Sequence, residues 1–139
     1  MKQAIALSAL LMTAATAFAA GPKTNFVDHS SDRIMSSADA IAVMKENVPA
    51  NVWKVYPASR WAISSQVEGG VTTAGACVVT ARVMLLPLTP SLKAVLFRPA
   101  KTATAFDAIA KSDDAQCKAL AKDKLIEATK AVVSDLVKT

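Results

Sequence analysis

His29 is the residue that any serine- or cysteine-type catalytic mechanism in this chain would have to use, because it is the only histidine. Asp28, Ser30 and Ser31 lie beside it, and these are the residue types of a Ser-His-Asp triad. Residues adjacent along a chain direct their side chains apart, so these four do not form a triad among themselves. The surrounding segment is polar and lacks periodicity, which is not typical of a rigid site. We therefore predict no catalytic residue here.

Metal and nucleotide chemistry also lacks its usual motifs. One histidine and two cysteines do not complete a closed zinc site without carboxylates, and the chain has no phosphate-binding glycine loop. The glutamates, Glu46, Glu68 and Glu127, each read as surface residues. The sequence predicts a non-enzymatic protein without metal or cofactor. A small enzyme with unfamiliar active-site residues is the alternative.

The two cysteines, Cys77 and Cys117, lie 40 positions apart. Cys77 falls on the apolar side of a predicted strand, and Cys117 falls in the first turns of a predicted helix. In an oxidising compartment such a pair predicts one structural disulfide. A loop of this length corresponds to about 4 kcal/mol of stabilisation in the chain-entropy description. A redox site is the alternative, but no C-x-x-C motif is present.

Residues 1–19 have the pattern of a secretory signal peptide. Lys2 provides the positive charge, an uncharged apolar run follows, and Ala17–Ala19 form an A-x-A cleavage site before Ala20. The run is rich in alanine and marginal in length, which favours a cleaved leader over a transmembrane anchor. We expect a periplasmic or secreted protein, typical of small exported bacterial proteins, with no transmembrane segment in the mature chain.

The remainder of the chain predicts a mobile N-terminal arm over 20–35 and one α+β domain over 36–139. Ser36 with Asp39 resembles a capping box that begins a first helix, and Pro49 ends that helix. Strands are predicted at 52–56, 60–68, 71–86 and 93–98 from their β-forming residues and alternation. Gly69–Gly70 predicts a hairpin turn, and the long return strand is expected to bend at Gly75.

The end of the chain predicts a long amphipathic helix. Ser112 or Asp113 caps it, and apolar residues recur along one stripe at Cys117, Ala121, Leu125, Ala128, Val132 and Leu136. Residues 101–111 fit either a strand or a helix, and the alternation there favours a strand. The predicted fold is an antiparallel sheet of four to five strands with both helices packed on one face and one disulfide.

The side of the sheet that faces away from the helices is the predicted interface. Arginine and aliphatic side chains share it, a mixture more typical of an interface than of a solvated surface. The segment 53–61, which contains both tryptophans and the only tyrosine, adds aromatic candidates. The candidate interface residues are Tyr56, Arg60, Arg82, Met84, Leu96 and Arg98.

The predicted partner is another protein, with an inhibitory or envelope accessory role. An anionic envelope polysaccharide or lipid headgroup is the alternative ligand, and a homodimer is one of the open arrangements. The chain is basic, with a formal charge of +5 and a pI near 9.4. We nevertheless predict no nucleic-acid binding, because aromatic content is 5% and no dense Lys/Arg cluster is present.

Overall fold

The computed structural model describes residues 23–137, so the predicted signal peptide lies outside the described residues. The elements follow the order β1 (Phe26–Asp28), α1 (Ser37–Asn47), α2 (Val52–Val55), β2 (Trp61–Val71), β3 (Cys77–Pro87), β4 (Lys101–Ile109) and α3 (Asp114–Leu136). The predicted α+β class is confirmed, as is the disulfide between Cys77 and Cys117.

The four strands form one sheet in the order β1-β2-β3-β4. The β2–β3 and β3–β4 pairs are antiparallel, the orientation predicted for the sheet as a whole, but β1 pairs with β2 in parallel. The sheet is therefore mixed rather than purely antiparallel. The connection between β1 and β2 explains their parallel orientation. It contains α1 and α2, so it is long enough to return the chain to the end of the sheet at which β1 began.

Part of the predicted N-terminal arm is in fact an edge strand of the domain. The N–H of His29 donates to the carbonyl of Ser65, and that of Ser31 donates to Val67, each at 2.9 Å. Further along, Ile34 and Met35 are buried in the core. The folded unit thus begins before residue 36. The strand has three residues, too few to show an alternation in the sequence.

The two long helices begin where their caps predict. The Asp39 N–H donates to Ser36 Oγ at 3.2 Å, and α1 ends at Asn47, ahead of Pro49. Asp113 caps α3 and forms a capping box with Gln116, whose N–H donates to Asp113 Oδ1 at 2.8 Å. All six residues of the predicted apolar stripe of α3 are buried.

The predicted strand at 52–56 is wrong, because this segment forms the short helix α2. The N–H of Tyr56 donates to the carbonyl of Val52 at 2.8 Å and closes a single helical turn. Val52 and Trp53 are buried, and the Trp53 ring meets Phe26 edge-on at 5.2 Å. Burial of these side chains against the sheet outweighs their preference for extended backbone.

The β2–β3 hairpin turns at residues 72–76 and not at Gly69–Gly70, which lie inside β2. The Thr72 N–H donates to the carbonyl of Ala76 at 2.7 Å, and Gly75 supplies the positive φ of the turn. A two-residue turn at Gly69–Gly70 would pair odd residues of β2 with even residues of β3. That register would place the buried side of one strand beside the exposed side of the other.

Residues 93–98, predicted as a strand, belong to a loop over 88–100 with one isolated bridge between Leu88 and Ala94. The strand favoured for residues 101–111 is confirmed as β4, but it pairs with β3 and not with 93–98. Pro87 ends β3, and Pro90 and Pro99 lie in the loop; none of them has a backbone N–H for a ladder.

The core lies between the sheet and the helices. α3 packs across β3 and β4, and α1 packs against α3 and β1. The disulfide joins the start of α3 to the central strand β3, with both sulfur-bearing residues buried and their Cα atoms 5.5 Å apart. Within residues 23–137, no helix has the length and apolar character needed to cross a bilayer.

Candidate binding surface on the outer face of the sheet

The helices cover one face of the sheet, and the opposite face is called here the outer face. Because side chains alternate along a strand, the outer face carries the even-numbered residues of β2, β3 and β4. The row across the middle of this face consists of Gln66, Arg82 and Thr104, which are direct neighbours in the register.

One half of the outer face is covered by the loop over 88–100. The loop is attached at this end of the sheet, where the Val95 N–H donates to Pro87 at 3.0 Å and the Ala100 N–H donates to Leu85 at 2.8 Å. The outer-face residues of β2 and β3 on this half are buried, namely Ala62, Ser64, Met84 and Leu86. They form a small second core beneath the loop.

The other half of the outer face is open to solvent. Phe106 of β4 is 78% exposed, and Val78 of β3 is also exposed. Arg82 is exposed on β3, opposite Thr104, and makes no ion pair with any residue of the described range 23–137. We call these three residues the open patch. They combine an aromatic ring, an aliphatic side chain and an unpaired guanidinium group.

The loop itself presents a second group of exposed apolar side chains. Phe97 is 96% exposed, and Leu92 and Leu96 are exposed as well. Arg98 follows directly and is exposed. We call these four residues the loop patch. Large apolar side chains in such a group mark interaction sites more often than plain solvated surface.

The predicted interface residues lie in different parts of the structure. Arg82 belongs to the open patch, Leu96 and Arg98 belong to the loop patch, and Arg60 is exposed just before β2. The other two predicted residues are less accessible than expected. Met84 is only 8% exposed because the loop covers it. Tyr56 is half-buried, with its ring edge against Trp61 at 5.4 Å between centroids.

Phe97 and Phe106 are not among the interface residues predicted from the sequence. Thr102, Thr104 and Phe106 are alternate residues, so in a strand they share one face. A large aromatic side chain on a face with two threonines is unusual for a solvated surface. This signal could have identified it. Phe97 carried no comparable signal, since its segment was predicted as a regular strand with alternate residues buried.

The polar cluster around Asp28 holds β1 to β2. The Asp28 carboxylate accepts hydrogen bonds from the hydroxyls of Ser30 at 2.6 Å and Ser65 at 2.5 Å. Ser30 Oγ in turn accepts the Val67 N–H at 2.9 Å. The serine hydroxyls donate to a carboxylate rather than to an imidazole, and His29 is exposed. The arrangement accounts for the position of β1 in the sheet.

An ionic contact joins α3 to the edge strand β4. Lys124 Nζ lies 3.3 Å from Asp107 Oδ2 and 2.8 Å from Glu127 Oε2. The pKa of Asp107 is lowered, first by the hydrogen bond from the Ala108 N–H and then by Lys124. The pKa of Lys124 is raised, first by its hydrogen bond to Glu127 and then by Asp107.

A cleft of about 340 Å³ lies between α1 and α3. Asp39 and Glu46 line it together with Lys118 and Lys122, so its walls carry charges of both signs. Residues 23–137 contain no group of three or more histidine, cysteine or acidic side chains arranged to hold a metal ion. The mixed charges of the cleft do not favour a ligand of either sign. The outer face and its loop are the stronger candidate site because they expose aromatic side chains.

Comparison with known proteins gives little information about this chain. No protein-family model matches it, and no curated protein matches it in sequence. Among solved structures, the chain is similar to one described as a "putative lipoprotein" from Caulobacter crescentus CB15. That similarity has 10% sequence identity and a TM-score of 0.34, covering 78% of this chain and 83% of that one. A similarity this low carries no argument about function or location.

Proposed function

We propose that this protein is an exported, non-enzymatic binding protein that recognises another protein through the open patch and the loop patch. The observation that carries the proposal is the exposure of two phenylalanine side chains, Phe97 at 96% and Phe106 at 78%. Aromatic and arginine side chains supply most of the binding energy in protein interfaces. Arg82 and Arg98 accompany these rings, so both residue types are present. An inhibitory or envelope accessory role fits a protein with a predicted leader and such a surface.

An anionic envelope polysaccharide or lipid headgroup is the second candidate ligand. Its support is that Arg60, Arg82 and Arg98 make no ion pair within the described residues. The protein partner is favoured because an anion would leave Phe97 and Phe106 in water. The two candidates differ in salt dependence, since binding of an anion by surface arginines weakens strongly as salt screens the charges.

Site-specific photo-cross-linking tests the proposal. The mature chain would carry benzoylphenylalanine at position 106 or 97, with the exposed α3 position Ala119 as the matched control. After irradiation with an envelope extract from the native cells, we expect one and the same protein adduct from positions 97 and 106 and none from 119. Excess unlabelled wild-type protein should remove the adduct, whereas an Arg82→Glu competitor should not.

Equal adducts from all three positions, or equal competition by the Arg82→Glu protein, would contradict the proposed surface. Binding that falls steeply with salt and is unchanged by Phe97→Ser and Phe106→Ser would favour the anionic ligand instead. A partner bound through the rings should lose at least tenfold in affinity when both phenylalanines are replaced, because their buried area is lost from the complex.

A further inference from the structure

The backbone of β4 has a free edge whose hydrogen-bonding groups can be identified. The N–H of Ile63 donates to Asn25, and that of His29 donates to Ser65, so odd residues of β2 bond toward β1. Even residues of β2 therefore bond to β3, and odd residues of β3 bond to β4. It follows that the even residues of β4 direct their N–H and C=O groups away from the sheet.

These outward groups belong to Thr102, Thr104 and Phe106, all of which are exposed. No strand in the described residues pairs with this edge. The next outward N–H, that of Ala108, donates to the Asp107 side chain at 2.8 Å. The edge is nine residues long and contains no proline. Such an edge is a template for addition of another strand.

We propose that the added strand is β4 of a second copy of this chain, paired antiparallel about a two-fold axis at Thr104. Lys101 and Asp107 lie at equal distances on either side of Thr104 and point to the same face of the sheet. In this register Lys101 of each copy lies directly opposite Asp107 of the other. Thr104 meets its own counterpart, and Thr102 meets Phe106. Each of these outward pairs can exchange two backbone hydrogen bonds.

Charge complementarity selects this register over its neighbours. An axis at residue 105 would place Lys101 opposite Ile109, and an axis at residue 103 would place it opposite Ala105. Axes at residue 101 or 107 would oppose two lysines or two aspartates, which is unfavourable. Only the axis at Thr104 places opposite charges directly across both ends of the paired strands.

The ion pairs that join α3 to β4 extend this complementarity into a second layer. Lys124 accompanies Asp107 at 3.3 Å, and Asp135 accompanies Lys101 at 3.6 Å. Pairing about Thr104 therefore brings the Lys124–Asp107 pair of one copy beside the Lys101–Asp135 pair of the other. Each end of the interface therefore brings together groups of both signs, with Glu127 also held by Lys124 at 2.8 Å.

The dimer would contain one continuous sheet of eight strands. A two-fold axis perpendicular to the sheet keeps both outer faces on the same side, so the two open patches lie on one surface. The inference goes beyond the proposed partner binding and does not depend on it, because it rests on the backbone and charges of the β4 edge.

Molar mass in solution tests the dimer. By light scattering across a concentration series, we expect the oxidised mature protein to form a dimer whose fraction rises with concentration. Thr104→Pro should be monomeric, because it removes an N–H that faces the second copy and that β3 does not use. Thr104→Val keeps that N–H and should remain dimeric. A wild-type protein that is monomeric at every concentration overturns the inference and leaves the edge to an extended segment of another protein.

Charge reversal and cross-linking test the register in variants that keep the backbone. Lys101→Glu and Asp107→Lys should each abolish the dimer. The double variant should restore it in part, because opposite charges again meet between the copies while each new charge lies beside Asp135 or Lys124 of its own copy. Because the described residues contain no free cysteine, Thr104→Cys should give a disulfide-linked dimer on oxidation, whereas Thr102→Cys should not. Failure of the double variant to restore the dimer, or better cross-linking at residue 102 than at 104, overturns the register.

Discussion

At the scale of single residues, Gly69 shows how one backbone position constrains the sheet. It lies inside β2 with a φ of +136°, a conformation that side chains other than glycine rarely adopt. A Cβ atom at this position would lie 2.0 Å from the carbonyl oxygen of Val78 on the neighbouring strand. Gly70 has a similar φ of +145°, but a Cβ there would have no neighbour within 4 Å. A side chain at Gly70 would therefore cause backbone strain alone, whereas a side chain at Gly69 would cause both backbone strain and a steric clash.

We expect Gly69→Ala to destabilise the protein more than Gly70→Ala. Gly70→Ala should cost about 1–3 kcal/mol, the usual range for a residue held in an unfavourable backbone region. Gly69→Ala should cost more, because β3 must also move away from the new methyl group. The free energy of unfolding in urea measures both effects. Equal losses in the two variants would show that the contact with Val78 does not constrain β2.

The candidate site was predictable from the sequence only where the strand was regular. Arg82 was placed on the outer face because β3 alternates without interruption. Met84 has the same orientation, but its burial depends on a loop whose path no local pattern shows. Phe106 was missed because residues 101–111 fit both a strand and a helix. The exposure of Phe97 depends on a loop that the sequence presented as a strand.

At the scale of elements, local signals predicted α1, α3 and the buried side of β3. Caps at Ser36 and Asp113 and the apolar stripe of α3 act within a few residues, so the sequence displays them directly. Features that depend on distant partners were missed. The parallel pairing of β1 requires the crossover through α1, and the turn at 72–76 is selected by the register between β2 and β3. Neither is visible in a short window of sequence.

The contact between α3 and β4 has a consequence for stability as a function of pH. The pKa of Asp107 lies below its ordinary value of 3.8 because the Ala108 N–H and Lys124 favour the carboxylate. A lowered pKa in the folded state contributes stability above pH 3.8, and this contribution is lost as the pH falls through the folded value. Lys124 behaves in the opposite way. Its raised pKa contributes stability below pH 10.5, and this is lost as the pH rises through the folded value.

We predict that Asp107→Asn reduces the loss of stability on acidification below about pH 4. The urea midpoint would be measured between about pH 5 and pH 2, at protein concentrations low enough to avoid association. Asp123→Asn is the matched control, because Asp123 is an exposed α3 carboxylate without an ion pair in the described part of the chain. If both variants follow the wild-type profile, the Asp107 contact does not couple β4 to α3.

At the scale of the whole molecule, the two faces of the sheet differ in how far they are buried. The helix-covered face holds the core, and the disulfide between α3 and β3 closes a loop of 40 residues worth about 4 kcal/mol. Stability concentrated on that side leaves half of the outer face and one sheet edge free for recognition. Both cysteines are buried, so the bond stabilises the fold without offering a sulfur to solvent.

A structural disulfide is typical of an oxidising compartment, which the predicted export would provide. We expect the protein recovered from its native cells to begin at Ala20, and its two sulfurs to become alkylated only after reduction and unfolding. Intact mass and N-terminal sequencing measure both properties. Ala19→Arg should block cleavage, because signal cleavage needs a small residue there, whereas Phe18→Leu should be processed normally. Retention of Met1 in the wild type, or free thiols in the folded protein, would remove the basis for an exported, disulfide-stabilised binding protein.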